Sequence, residues 1–264
     1  MKKAILAVSF GTSYPDTLQR TIAATEEMLG KTFPDWEVRR AFTSGMIIRK
    51  LQKRDGVEID TVTQAMERLE AEGYTHVAVQ STHVMHGEEY EKMLSQLEPF
   101  RLRLRIAVGM PLLHAQEDYE KTAKALLEWL PPVEENEALV LMGHGTEHFA
   151  NSAYAQMEQV LREHSDRVYL ATVEGYPTLE NVMTRLEKRP EIRKIRLAPF
   201  MLVAGDHARN DMAGAEDSWA SRLEAVGYQV SCVLRGLGEC PAIRELFAEH
   251  CRRAVEELSQ GGKL

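Results

Sequence analysis

Two histidines and a glutamate, His144, Glu174 and His207, each stand close to where an apolar run breaks into a glycine turn in the second half of the chain. His, Glu and His together form a donor set suited to a divalent transition ion with coordination positions left open. An internal repeat singles these three out. Residues 4–14 read A-I-L-A-V-S-F-G-T-S-Y and residues 138–148 read A-L-V-L-M-G-H-G-T-E-H, which sets Phe10 against His144. V-R-R-A-F-T-S-G (38–45) parallels V-Y-L-A-T-V-E-G (168–175) and pairs Ser44 with Glu174. H-V-A-V-Q-S-T-H-V-M-H-G-E-E (76–89) parallels K-I-R-L-A-P-F-M-L-V-A-G-D-H (194–207) and pairs Glu89 with His207. The second half therefore carries metal donors at three strand ends whose first-half counterparts are an aromatic, a hydroxyl and a carboxylate.

Each residue also has a plainer reading. His144 in M-G-H-G could be a loop histidine bonded to backbone, although its flanking glycines permit a tight turn and close approach by a ligand. Glu174 could serve the start of the helix that follows it. Asp206 could cap the next helix and leave His207 incidental, but the apolar run Phe200 to Ala204 before it suits a large apolar ligand or a partner. Glu88 and Glu89 favour a helix start. Across from two imidazoles, Glu89 could also accept protons or guide a cation. His83 and His86 in the same loop are weaker candidates.

The elements that must position these residues alternate in the βαβ manner, which predicts an α/β fold. Strands are expected near 3–9, 37–42, 75–81 and 103–109, and again near 138–142, 168–173, 194–199 and 229–233. Helices are expected near 15–29, 44–54, 61–72, 88–97 and 116–130, then near 150–164, 178–188, 210–225 and 240–258. The polar, proline-led stretch 131–137 suggests a boundary, giving an N-terminal half over 1–130 and a C-terminal half over 138–264 that carries the metal donors. Each half reads as a four-stranded, mostly parallel sheet flanked by helices. The expected cleft lies between the halves, at the carboxyl ends of the strands. Gly45 and Gly87 are 42 residues apart whereas Gly175 and Gly205 are 30 apart, so the first half has an insertion before its third strand.

Composition narrows the partners. With 40 acidic against 32 basic residues the net charge is −8, which argues against nucleic acid. Cys232, Cys240 and Cys251 have no C-x-x-C spacing and read as reduced thiols of a cytoplasmic protein. The N-terminal M-K-K-A-I-L-A-V-S-F reads as a first strand rather than a signal peptide, because its apolar run is short and recurs at 138–142. No run approaches the roughly 18 apolar residues of a spanning helix, so no membrane association is expected. The G-x-S-x-G, G-x-x-x-x-G-K-[ST], H-E-x-x-H and G-x-G-x-x-G motifs are absent, and M-G-H-G lacks the preceding arginine of a phosphohistidine mutase.

The segments F-G-T-S-Y (10–14), R-A-F-T-S-G-M-I-I-R-K-L (40–51), H-G-E-E-Y-E-K (86–92), G-H-G (143–145) and P-F-M-L-V-A-G-D-H-A-R-N-D-M (199–212) resemble the anaerobic cobaltochelatases of the class II chelatase family. The resemblance extends to G-L-G-E-C-P-A-I-R (236–244) and so covers essentially the whole chain. It implies a chelatase-like fold and a lyase that inserts Co2+ into the tetrapyrrole sirohydrochlorin, with release of two protons, in cobalamin biosynthesis. It further implies that His144, Glu174 and His207 hold the metal and that His144 also accepts a proton. Glu89 would steer metal or protons, and Phe10, Met85, Met201, Leu202 and Val203 would contact the macrocycle. Where the family commonly has G-D-E-Y, this chain has G-E-E-Y and keeps Glu89 in place.

Sirohydrochlorin is rich in carboxylates, so a local basic patch must outweigh the net charge. Arg39, Arg40, Arg49, Lys50, Lys53 and Arg54 form the densest one, although a solvated helix face would read the same way. Cobalt enters as a substrate and no organic cofactor is expected. The alternatives are Fe2+ insertion by the same fold, since a His2Glu set separates the two ions poorly, or a carrier that binds tetrapyrrole or metal without turnover. A homo-oligomer is compatible with the sequence.

Overall fold

The computed structural model describes residues 2–260. Its first strand, β1 (Lys3–Ser9), leads through α1 (Pro15–Leu18), a π-helical turn and α2 (Ala24–Thr32) to β2 (Glu37–Phe42). Next come α3 (Gly45–Asp55), α4 (Val62–Ala71), β3 (His76–Ser81), α5 (Glu88–Leu97), β4 (Arg105–Gly109) and α6 (Gln116–Trp129). The second set is β5 (Glu137–Gly145), α7 (Ser152–His164), β6 (Val168–Glu174), α8 (Leu179–Leu186), β7 (Lys194–Pro199), α9 (Trp219–Ala225), β8 (Gln229–Cys232) and α10 (Pro241–Gln260).

The strands form two four-stranded sheets, ordered β2-β1-β3-β4 and β6-β5-β7-β8, and every pairing is parallel. The identical order is the repeat expressed as topology. Parallel strands covered by helices on both faces lose the apolar/polar alternation of a half-exposed strand. Accordingly Ala4 to Val8 and Ala138 to Met142 are wholly buried. One core gathers Leu6, Val8, Val62, Met66, Val79, Met93 and Leu97; its counterpart gathers Val140, Met142, Val182, Leu186, Ile195, Leu197 and Leu223. Each fully buried Leu, Ile or Val contributes about 1.5–3 kcal/mol.

The predicted insertion is an additional helix. Between β2 and β3 the chain forms α3 and α4, whereas between β6 and β7 it forms only α8. Ser44 accepts a hydrogen bond from Ile47 N at the start of α3, and Gly56 ends that helix in the left-handed conformation at φ 67°. Thr61 and Gln64 then form a reciprocal capping box for α4.

The division between halves differs from the expected 1–130 and 138–264. One compact unit runs to His114 and is completed by residues from Pro241 onward; the other is Ala115–Cys240. Two helices are thereby exchanged. Helix α6 packs beside α7 in the second unit, and α10 lies on β3 and β4 of the first. The cause is coverage of the first sheet's second face: Ala248, Cys251, Ala254 and Leu258 of α10 join Ile5, Ala7, Ala78 and Ala107 in one apolar cluster. An amphipathic helix advertises an apolar stripe but not which sheet will bury it.

Candidate metal centre

His144 is the penultimate residue of β5, whose pairing with β6 sets Gly145 against Glu174. The strand continues past the expected end at 142, pairing as far as Gly145, whose φ is 83° and where a Cβ would come within 1.4 Å of the Glu174 carbonyl oxygen. Only glycine lets the two strand ends run so close. Beneath the turn, the buried Tyr154 ring fills the space a side chain at Gly143 would occupy and crosses Phe200 edge-on at 6.3 Å. Its hydroxyl meets the backbone of His144 and Gly145, while burial pushes its pKa up to about 12, so it remains a neutral prop.

The His144 Nδ1 is 2.8 Å from the Gly145 carbonyl oxygen. A carbonyl only accepts, so Nδ1–H is the donor and the Nε2 lone pair is left for a ligand. His207, just before the π-helical turn Ala208–Met212, repeats this arrangement. Its Nδ1 lies 2.5 Å from Asp211 Oδ2, one helical turn on, and donates to that carboxylate. The two rings meet at 90° with centroids 4.5 Å apart. Each imidazole is thus fixed through one nitrogen, as metal-ligating histidines usually are.

Glu174 sits at the end of the neighbouring strand and is exposed. Among the described residues no three His, Cys, Asp or Glu side chains are gathered closely enough to hold a metal. The two predicted histidines are therefore brought together, whereas the Glu174 carboxylate is not turned onto them.

The apolar loop after β7 differs from its expected role. Phe200 and Leu202 are buried, and the loop is held from behind by hydrogen bonds from Leu237 N to Met201 O (2.8 Å) and from Gly238 N to Leu202 O (3.0 Å). Leu202 consequently packs inward rather than offering itself to a ligand. Met201 and Val203 remain partly exposed.

The remaining predicted residues lie in the first unit. Phe10 is 44% exposed, unusual for a phenylalanine at the end of a buried strand, and Met85 is partly buried. Glu89 occupies the first turn of α5, with Oε2 3.4 Å from Lys92 Nζ, which itself donates to the Thr43 carbonyl at 2.6 Å. His83 contacts Ser81 Oγ at 2.7 Å, and burial lowers its pKa to about 4 against the opposing pull of Glu89. It is neutral at pH 7. Of the basic cluster, Arg40 is held by Glu26, Arg39 by Glu37 and Glu72, and Arg54 by Asp55 and the Ser13 carbonyl. Arg49, Lys50 and Lys53 lie on the exposed side of α3.

Sequence reading missed Asp211 and Tyr154. The spacing of His207 and Asp211, four residues apart on a helical turn, was the available signal for the first. Tyr154 had none, because an aromatic on an amphipathic helix reads as ordinary core.

Comparison with known proteins gives a consistent result. Residues 3–256 match the family model described as cobalt chelatase (CbiK). The sirohydrochlorin cobaltochelatase of Salmonella typhimurium is 44% identical over 257 residues, covering 97% of each chain. A sirohydrochlorin cobaltochelatase of Nitratidesulfovibrio vulgaris is 36% identical over 262 residues, covering 97% of this chain and 92% of that one. Among solved structures, SirB from Bacillus subtilis with Fe3+ superposes with a TM-score of 0.67 at 20% identity, covering 99% of this chain and 98% of that chain. CbiX, described as the terminal enzyme of sirohaem biosynthesis in denitrifying bacteria, gives 0.55 at 15%, covering 96% and 99%. The two structural matches bear on the fold; the family model and the two sequence relatives establish that the chain belongs to the cobalt chelatase (CbiK) family.

Proposed function

We propose that this chain is a sirohydrochlorin cobaltochelatase, a lyase that exchanges two pyrrole N–H protons of sirohydrochlorin for one Co2+ in cobalamin biosynthesis. The observation that carries the reading is the crossed pair His144 and His207, each with Nδ1–H committed to an acceptor and Nε2 left as a lone pair. Two such nitrogens with the Glu174 carboxylate, once turned toward them, make a neutral-neutral-anionic set appropriate to a divalent ion.

The two assignments to His144, ligand and proton acceptor, are compatible if they are successive. While Co2+ occupies Nε2, that lone pair is unavailable. As the ion passes to the ring nitrogens the lone pair is released and takes one of the two displaced protons; a second base must take the other for charge to balance. Glu89 is assigned the second proton or the approach of the cation. Phe10, Met85, Met201 and Val203 are assigned contact with the macrocycle, and Arg49, Lys50 and Lys53 attraction of its carboxylates.

The donor set does not discriminate sharply between Co2+ and Fe2+, adjacent in the affinity order, so supply of the ion would decide which is used. We place the enzyme in the cytoplasm. The three cysteines form no disulfide, and among the described residues no helix is long and apolar enough to cross a membrane.

The test is anaerobic absorbance of sirohydrochlorin mixed with Co2+ or Fe2+, comparing the wild type, His144→Ala and a protein-free control. Insertion accelerated by the wild type and lost by at least about 100-fold in His144→Ala, with tetrapyrrole binding retained, is expected. A stoichiometric spectral shift without turnover would instead describe a carrier.

A further inference from the structure

Asn151 closes a 3-10 turn, Phe149–Asn151, that runs directly into α7; its own backbone is helical, and the turn is capped upstream by His148, whose Nδ1 accepts from Ala150 N at 3.2 Å. The Asn151 side chain makes no cap hydrogen bond to α7. Its amide is used on two other segments: Oδ1 accepts from Thr146 N at 3.0 Å, and Nδ2 donates to the Tyr176 carbonyl at 2.7 Å. Chemistry fixes which end is which, because a backbone N–H requires the oxygen and a carbonyl requires the NH2. Thr146 lies two residues beyond His144, and Tyr176 lies two residues beyond Glu174. Gly175, at φ 105°, is shaped to this contact, since a Cβ there would come within 2.8 Å of Asn151 Oδ1. Behind the same turn, the Pro177 carbonyl accepts from Thr172 N at 2.7 Å and from Thr172 Oγ1 at 3.0 Å, so the segment from 173 to 177 is folded back on its own strand.

We infer that Asn151 is a positioning residue for metal capture: one amide clamps the His144 turn to the Glu174 turn, holding the Glu174 carboxylate within reach of the two imidazoles. The inference rests on Glu174 being a ligand, as proposed above. Glu174 is the exposed member of the three and the one whose side chain stands away from the other two, so its backbone anchor governs how much ordering the ion must impose.

The experiment titrates Co2+ alone into the anaerobic protein, measuring affinity for wild type, Asn151→Ala, Asn151→Ser, Glu174→Ala and the Asn151→Ala/Glu174→Ala double variant, with thermal unfolding of each. Serine keeps a hydroxyl at this helical position but is too short to span from the Thr146 N–H to the Tyr176 carbonyl, so Asn151→Ser, like Asn151→Ala, is expected to fold and to lose the clamp. Both Asn151 single variants should weaken Co2+ affinity by about 10–100-fold, the range for partners that orient a ligand. In the Glu174→Ala background the Asn151 change should add nothing, because the residue acts through Glu174. Equal Co2+ affinity in Asn151→Ser and wild type, alongside a loss in Glu174→Ala, would overturn the clamp while leaving Glu174 a ligand. Affinity unchanged by Glu174→Ala would overturn both. An additive loss in the double variant would show Asn151 acting elsewhere and also overturn the clamp.

Discussion

Replacing Asp211 by Asn removes one charge, leaves the size unchanged and tests whether the carboxylate behind His207 serves the metal. The bond it alters, His207 Nδ1–H to Asp211 Oδ2 at 2.5 Å, is charge-assisted. Such bonds contribute about 1.5–3 kcal/mol. Both side chains are substantially exposed, 41% and 44%, so solvent screening places this one at the lower end, about 1.5 kcal/mol. The asparagine can present its carbonyl to Nδ1–H and keep a weaker neutral bond. Alternatively it presents its NH2, which drives the imidazole proton to Nε2 and removes the lone pair needed by the ion. Either outcome costs Co2+ affinity, by about tenfold for 1.5 kcal/mol. Initial insertion rates measured against Co2+ at saturating sirohydrochlorin should show a KM for Co2+ raised about tenfold and a KM for the tetrapyrrole unchanged. An unchanged Co2+ KM in a variant of wild-type thermal stability would refute the reasoning. A rise in the tetrapyrrole KM alone would assign Asp211 to the macrocycle instead.

Gly145→Ala should destabilise the second unit by upwards of about 2 kcal/mol, because the left-handed conformation alone costs an alanine roughly 1–2 kcal/mol and its Cβ would overlap the Glu174 carbonyl; a denaturant midpoint equal to wild type would contradict the close strand approach. His83, with its folded pKa lowered from 6.5 to about 4, is neutral when folded and gains a proton on unfolding between those values. Its contribution is therefore present above about pH 6.5 and lost as pH falls through that window toward 4, a loss of about 3 kcal/mol at most. His83→Gln, neutral throughout, should flatten the dependence of urea stability on pH between 6.5 and 4, and identical slopes would show that His83 is accessible to protons when folded.

Much of the fold was legible because parallel strands buried on both faces must be continuously apolar, and such runs recur in the same order in both halves. The two histidines were legible for the same reason: His144 and His207 replace Phe10 and Glu89 at equivalent strand ends, and comparison of the copies exposes the substitutions. What stayed hidden depends on relations between segments. The ownership of α6 and α10 is decided by which sheet face remains uncovered, and no local pattern records that. Leu202 looked like a ligand contact because it belongs to an apolar loop, yet hydrogen bonds from Leu237 and Gly238 draw that loop inward. Tyr154 and Asn151 act through contacts with residues that are distant in sequence or unremarkable in type. Glu174 was placed correctly at its strand end, but a strand register sets where a backbone stops and leaves a long carboxylate side chain free to choose its rotamer.

The exchange of α10 bears on the order in which the molecule can be completed. During synthesis β1 to β4 emerge first, but the apolar face formed by Ile5, Ala7, Ala78 and Ala107 is covered only in part, by Leu29, Phe33 and Trp36, until Ala248, Cys251, Ala254 and Leu258 have been made. Ala115–Cys240 has all of its strands and helices in one continuous stretch and can close as soon as that stretch is free of the ribosome. The part of the chain born first is therefore the last to have both faces of its sheet covered, and the turns around His144, Glu174 and His207 are in place before the unit bearing Glu89 is sealed.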